Sequence, residues 1–232
     1  MSKKDAAVVD GKDPVKVKQK RRLRDIEIEK AETELAASKL DLEMDRHRLL
    51  SYRDERTKRD NDDKRLGIFS LESSVGSSVV TLANEIRAWG RLKENAGKTI
   101  TLNLFSPGGS VLHGLVLYDT LRTMSRQGHR VVTIARGYAA SMGSLIFLAG
   151  DVRLIGAEAL VMFHSLSAGT GGSLHDMEED VRFFKRLNAR LDGIITSRTK
   201  ITKKQLAENT QKKDWWLDSS EALKYKVAHE IG

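Results

Sequence analysis

The chain has 232 residues, of which 40% are hydrophobic, and its 40 Lys and Arg against 32 Asp and Glu give a formal net charge of +8. This length allows one domain with a sizeable core plus an extension. The sequence contains no cysteine, which excludes thiolate catalysis and a cysteine-based zinc site, and its apolar runs fall far short of the roughly 20 residues that a membrane helix needs.

The chain begins with a highly charged segment that is almost free of aromatic side chains. We therefore predict a charged, partly helical or disordered extension over residues 1–64 and a folded domain over residues 65–232. The excess of positive charge is not concentrated in the extension, although basic residues cluster between Lys16 and Arg24. A charge run is usually a solvated face, so nucleic acid is not an expected partner.

Within the extension, the stretch from Asp25 to Asp60 lacks both Pro and Gly, which favours a helix. Four apolar residues recur there at seven-residue intervals: Ile28, Leu35, Leu42 and Leu49. Other positions of a coiled-coil interface would be polar, namely Ser38 and Asp45. The pattern fits a solvated single helix as well as it fits a helical oligomerisation or docking segment.

The rest of the chain alternates β-branched apolar runs with amphipathic ones, which predicts an α/β fold. The predicted strands are Leu66–Leu71, Ile100–Phe105, Val131–Ala135, Val152–Ile155 and Leu160–Phe163. The predicted helices are Ser77–Leu92, Val111–Met124, Met142–Ala149 and a long amphipathic Leu174–Arg198. The apolar stripe of the last helix is too broad to leave in water, which favours an oligomer.

Two loops of small residues follow predicted strands. Ser106–Ser110 contains a Pro-Gly-Gly turn, which can expose backbone N–H groups as an oxyanion hole does, although such a turn is often merely structural. Gly137–Ser144 places Ser141 between a strand and a helix, where a nucleophile can lie. The alternative for Ser141 is a simple helix cap.

A histidine and an aspartate complete a candidate triad. His164 follows a predicted strand, at the end of the sheet where functional side chains collect, and His175 is its only serious rival as a base. Asp214 precedes a short apolar strand and could orient the imidazole. The competing Asp218 better fits a capping box with Glu221.

From about Arg65 to Ile231 the chain resembles the ClpP family, the proteolytic subunits of the Clp protease, which are serine peptidases. Four segments match in order: Leu104–Gly109, Gly137–Gly143, Val161–His164, and Asp214–Ala222. The resemblance implies that Ser141 is the nucleophile, His164 the base and Asp214 the acid. It also implies that the backbone N–H groups of Gly109 and Met142 form the oxyanion hole.

The resemblance further implies repeated ββα units, as in the crotonases, with a glycine-rich strand and the long helix forming a handle between two stacked seven-membered rings. The expected activity is endopeptidase cleavage of polypeptides inside a ring-shaped homo-oligomer, with no cofactor, no metal and no membrane, in the bacterial cytoplasm or in that of a phage-infected host. Any ATP dependence would come from a partner, since no Gly-Lys-Ser/Thr follows Gly108 or Gly143. In this family the base and the acid can be misaligned in inactive ring states.

The charged extension is similar to that of phage-encoded and prophage-encoded ClpP-like proteins, for which cleavage of capsid or scaffold protein during head maturation is expected. Two alternatives stay open: a housekeeping ClpP-type subunit working with an AAA+ unfoldase, and a structural ring or capsid-associated protein with vestigial activity. A crotonase-type acyl-CoA enzyme would not need Ser141, His164 and Asp214 together, and a catalytically silent subunit would lack one of them.

Overall fold

The structure is a computed structural model that describes residues 14–211 and 213–232, so the first part of the extension and Lys212 lie outside it. The chain divides between Arg59 and Asp60 into two compact units. The predicted domain boundary after Lys64 remains a prediction.

The extension is helical wherever it is described. Helix α1 runs over Pro14–Arg65 and contains the predicted stretch from Asp25 to Asp60. Its apolar residues are spread around the helix, and Leu35, Leu42 and Leu49 are 56%, 72% and 70% exposed. Within one chain, the seven-residue repeat therefore has no buried face.

The second unit contains six further α-helices and seven strands among its described residues. The helices are α2 (Ser78–Gly90), α3 (Val111–Arg126), α4 (Met142–Phe147), α5 (Leu174–Arg198), α6 (Lys203–Thr210) and α7 (Ser219–Lys224). The strands are β1 (Ile68–Leu71), β2 (Ile100–Ser106), β3 (Val131–Ala140), β4 (Val152–Ile155), β5 (Leu160–Phe163), β6 (Trp215–Leu217) and β7 (Glu230–Ile231). The α/β fold expected from the sequence is confirmed.

A mainly parallel sheet organises this unit. Strands β1, β2, β3, β4 and β7 lie side by side in that order, all parallel. The second half of β3 pairs instead with β5, which in turn pairs antiparallel with β6. Strand β3 thus carries the chain from the main sheet to the smaller group of strands around the candidate site.

Strand β3 is five residues longer than predicted. The sequence analysis ended it at Ala135, but the extended backbone continues to Ala140. Gly137 has a φ of +68°, a conformation that glycine adopts without a steric penalty, and a Cβ there would lie 2.9 Å from the Phe105 ring. The glycine lets the strand change direction and pair with β5, and this pairing depends on distant residues that a local pattern cannot show.

Helix α5 matches its predicted bounds, whereas the glycine-rich segment before it differs from the expectation. The strand implied by the resemblance is absent, since residues 164–170 have no regular structure and α5 begins after a capping box at Ser173. The last turns of α5 bury Leu191 and Ile195, but Met177, Val181 and Phe183 in its first half remain about 40% exposed. No helix in the described part of the chain is both long and apolar enough to cross a bilayer.

Candidate active site

Ser141 lies on a tight turn between β3 and α4. Its φ of 54° and ψ of −122° place it in a region that side-chain-bearing residues seldom adopt. The turn is held by a hydrogen bond from the Ser141 N–H to the carbonyl of Met162 on β5, at 2.9 Å. The Ser141 hydroxyl accordingly has a position fixed by two strands and a helix.

The Pro-Gly-Gly turn after β2 packs directly against this serine. A Cβ added to Gly108 would lie 2.6 Å from the Ser141 Cβ and 2.8 Å from the Met142 nitrogen, so only glycine allows the two turns to approach. The Ser106 hydroxyl, which is buried, donates to the Ser73 carbonyl at 2.6 Å and accepts from the Gly108 N–H at 3.2 Å. Ser106 thus fixes the turn, a role that its place in the sequence did not reveal.

The structure leaves two backbone N–H groups near Ser141 unused. Those of Gly109 and Met142 donate to no acceptor in the described residues. Both residues line the same cavity as Ser141 and His164. Backbone N–H groups that line a cavity together with a serine can stabilise the negative charge that develops on a carbonyl oxygen during acyl transfer.

The structure brings Ser141 and His164 together. The imidazole Nε2 of His164 and the hydroxyl of Ser141 are 2.7 Å apart, which is hydrogen-bonding distance. His164 directly follows β5, the strand whose carbonyl holds the serine turn, so one strand positions both residues. This is the geometry that proton transfer from the hydroxyl to the imidazole requires.

Asp214 lies opposite His164 in the extended register of β5 and β6, but no hydrogen bond joins the two side chains in the described ranges. Phe163 of β5 pairs with Trp215 of β6, and the antiparallel register therefore places His164 opposite Asp214. The Asp214 side chain is exposed, and within residues 14–211 and 213–232 no hydrogen bond joins it to His164. The backbone therefore places Asp214 next to His164, but the hydrogen bond between their side chains is not formed.

The rival residues of the sequence analysis lie elsewhere. His175 is exposed in the first turn of α5 and does not line the cavity beside Ser141. Asp218 is the N-cap of α7: its carboxylate accepts from the Glu221 N–H at 2.8 Å, which confirms the predicted capping box. Among the residues that the structure describes, no group of three or more His, Asp or Glu side chains could hold a metal ion.

A cavity of about 150 Å³ opens beside Ser141 and His164. Its wall is partly apolar, with contributions from residues such as Val111, Leu145 and Ile195. Two polar side chains of α5, Asn188 and Asp192, also line it, and the sequence analysis missed both. Burial raises the pKa of the Asp192 carboxyl above its ordinary value.

Arginine side chains hold the other end of α4. Arg122 donates to the Ala149 carbonyl at 2.9 Å, and Arg198 donates to the carbonyls of Leu148 and Gly150 at 3.0 and 2.6 Å. Cations at a helix C-terminus satisfy its free carbonyls and oppose its dipole. Because α4 begins directly after Ser141, these contacts at its C-terminal end also stabilise the position of the Ser141 turn.

Arg153 is the most buried member of this cluster, at 3% exposure. Its guanidinium donates to four backbone carbonyls, those of Gly150, Arg198, Lys226 and Val227. Burial, followed by repulsion from the Arg198 charge, lowers the pKa of Arg153 to about 10. The arginine therefore joins the end of α4 to the C-terminal part of the chain.

Comparison with known proteins identifies relatives of this unit. A family model described as Clp protease matches residues 79–232. The chain is 36% identical over 154 residues to the ATP-dependent Clp protease proteolytic subunit 2 of Tropheryma whipplei (strain Twist), a match that covers 65% of this chain and 83% of the relative. It is 33% identical over 136 residues to the ATP-dependent Clp protease proteolytic subunit 3 of Rhodococcus jostii (strain RHA1), which covers 58% of this chain and 65% of the relative.

Proposed function

Because the chain belongs to the Clp protease family and is a serine endopeptidase, we propose that Ser141 is its nucleophile, His164 its general base and Asp214 the acid that orients the base. The observation that carries this proposal is the 2.7 Å separation between the Ser141 hydroxyl and the His164 Nε2. The backbone N–H groups of Gly109 and Met142 are the proposed oxyanion hole.

The reaction follows from the roles of these groups. The Ser141 oxygen attacks the scissile carbonyl carbon while His164 Nε2 accepts the hydroxyl proton, and the carbonyl oxygen becomes an anion that accepts from Gly109 and Met142. The intermediate collapses when the C–N bond breaks and His164 gives its proton to the leaving amine. Water then attacks the acyl-enzyme with His164 again as base, which releases the acid product and restores the serine.

The acid must move before it can serve this reaction. Asp214 is exposed, and a carboxylate that orients imidazole has to accept from the Nδ1–H of His164. The backbone of β6 is anchored next to it by Trp215, whose ring lies 6.5 Å from that of Phe163 and 5.5 Å from that of Tyr225. A reorientation of Asp214 toward His164, with β6 held in place, would therefore complete the triad.

Labelling with a fluorophosphonate tests the nucleophile and the base. We expect the purified wild-type protein to label and to cleave a fluorogenic peptide, and we expect Ser141→Ala and His164→Ala to do neither. Ser110→Ala is the matched control, because this nearby exposed serine hydrogen-bonds His113 rather than His164 and should leave labelling intact. Labelling that persists in Ser141→Ala would overturn the assignment.

We also propose a homo-oligomer of stacked heptameric rings. Proteins of this family form ring oligomers and work with unfoldases. The support from this chain is the first half of α5, where the apolar side chains Met177, Val181 and Phe183 stay exposed in a single subunit. Light scattering of the purified protein gives its mass in solution, and a monomer at micromolar concentration would contradict the proposal.

For the biological role we propose cleavage of capsid or scaffold protein during phage head maturation. The support is α1, a long charged helix that lies outside the segment matched by the family model. The alternative, a subunit that works with an AAA+ unfoldase, is supported by the two relatives, both of which are named as subunits of an ATP-dependent protease. Degradation of a folded substrate only when an AAA+ unfoldase and ATP are added would favour the alternative.

A further inference from the structure

The cavity beside Ser141 has one acidic residue in a wall of apolar and neutral polar side chains and His164. Asp192 lies on the last turns of α5, and Asn188, Leu191 and Ile195 share its helix face at spacings of three and four residues. All four side chains line the cavity that also contains Ser141 and His164. A substrate side chain next to the attacked carbonyl would therefore meet the Asp192 carboxylate.

The orientation of this carboxylate is fixed. The Asn188 side-chain amide donates to Asp192 Oδ2 at 2.9 Å, while its own oxygen accepts from the Leu166 N–H at 2.9 Å. Asn188 thus ties Asp192 to the segment that follows His164. One carboxylate oxygen is used in this way, and Oδ1 accepts no hydrogen bond from the residues that the structure covers.

Asp192 has no cationic partner among the described residues. Throughout the described ranges, its carboxylate forms no ion pair with Lys, Arg or His. Lys203 borders a neighbouring groove together with Asp192, but the two groups are not within ion-pair distance. A partly buried carboxylate without a counterion leaves a favourable position for a positive charge supplied by a ligand.

We propose that Asp192 makes this endopeptidase selective for substrates with lysine or arginine immediately before the scissile bond. This inference rests on the proposed function, since it assumes that Ser141 attacks the carbonyl beside the cavity. The apolar wall accommodates the methylene stem of a long basic side chain, and the carboxylate pairs with its charged end. A neutral side chain of equal length would leave the carboxylate desolvated and unpaired, and an acidic one would be repelled.

A panel of fluorogenic peptides that differ only in the residue before the cleaved bond tests this selectivity. The residues are lysine, arginine, norleucine, which is lysine without its charged group, and glutamate. For the wild-type protein we expect kcat/KM for lysine to exceed that for norleucine by about 10²-fold, because a site that pairs a polar group strongly rejects an analogue lacking it. In Asp192→Asn, this ratio should fall to about one or below.

Two further variants separate charge from structure. Asp192→Glu keeps the charge and should retain a preference for lysine over norleucine. Glu179→Gln removes one negative charge from an exposed part of α5 that does not line the cavity, and it should behave as wild type. Fluorophosphonate labelling of each variant shows whether its nucleophile is intact.

The outcomes distinguish the selectivity from the activity on which it rests. Wild-type protein that labels and cleaves norleucine as well as lysine would overturn the role of Asp192 and leave the peptidase assignment unchanged. The same conclusion follows if Asp192→Asn labels normally and keeps the wild-type preference. Failure of the assembled wild-type protein to label or to cleave any peptide would overturn both.

Discussion

The serine side and the acid side of the candidate site are held in different ways. Ser141 is fixed by the backbone: its turn is hydrogen-bonded to β5, packed against Gly108 and supported through α4 by arginines. Asp214 has its backbone held through the adjoining strand, but its side chain is exposed and does not reach His164. The backbone contacts fix Ser141 whenever the chain is folded, whereas an exposed side chain such as that of Asp214 can form or lose a contact by rotating. We therefore expect differences in activity between intact folded molecules to arise on the acid side.

The largest expected effect comes from removing the acid. In Asp214→Asn we expect kcat to fall by about 10⁴-fold, because the imidazole would lose the carboxylate that we propose orients it and stabilises its protonated form. Asp218→Asn is the matched control, since it neutralises the carboxylate on the other side of β6 while asparagine still caps α7. Steady-state peptide cleavage measures both. Equal activity of Asp214→Asn and wild type would show that another group orients His164.

A smaller loss is expected when the serine side is displaced. Gly108→Ala adds a Cβ within 2.6 Å of the Ser141 Cβ, at a φ of +91° that alanine seldom adopts. A displacement of about 1 Å should lower kcat/KM by about 10²-fold. Gly76→Ala is the control, because a Cβ there meets nothing within 4 Å. Full activity of Gly108→Ala would mean that the turn is less constrained than its contacts indicate.

The next effect is on stability rather than on chemistry. Arg153→Met removes the buried donor from the carbonyls of Arg198, Lys226 and Val227, whereas the Gly150 carbonyl still accepts from Arg198. We expect the free energy of unfolding to fall by about 3 kcal/mol in urea denaturation. Arg136→Met, at an exposed position of β3, should change it little. A small effect of Arg153→Met would show that water replaces the guanidinium without cost.

The smallest effect is a dependence of stability on pH. Burial, then the charges of Arg153, Arg198 and Lys226, lower the pKa of His229, and Glu230 only partly opposes them. The unfolded chain therefore binds more protons between the two pKa values, so this contribution to stability is fully present above about pH 6.5 and is lost as the pH falls through the folded-state pKa.

Thermal unfolding between pH 5 and 8 measures this dependence. In the wild-type protein the backbone N–H of Arg153 donates to His229 Nδ1 at 3.2 Å. His229→Asn should flatten the pH dependence, because asparagine does not titrate but can still accept this hydrogen bond. His47→Asn, in the exposed part of α1, should not flatten it. An unchanged pH profile in His229→Asn would exclude this histidine as the source.

The features that were predictable from the sequence have local causes. Helix α5 was predicted to the residue because its apolar spacing lies within one segment, and the capping box at Asp218 is a four-residue pattern. Ser141 and His164 could be singled out because each follows a strand of apolar residues. Their pairing at 2.7 Å then requires only that two neighbouring strands end at the same edge of the sheet.

What the sequence did not reveal depends on distant partners. Strand β3 extends to Ala140 because β5 pairs with it. Asp192 lines the cavity because α5 packs beside the segment after His164. Arg153 joins carbonyls more than seventy residues downstream, which no local pattern indicates. Each of these features requires the fold to be known first.

The backbone conformation of Ser141 lowers the stability of the fold at the position of the proposed nucleophile. A side-chain-bearing residue at a φ of 54° and a ψ of −122° lowers the stability of the fold, by an amount of order 1–3 kcal/mol. Glycine would adopt the same turn without that strain, but it has no oxygen with which to attack a peptide. Mutation and selection for stability alone would therefore favour glycine at position 141, whereas the role that we propose for Ser141 requires serine.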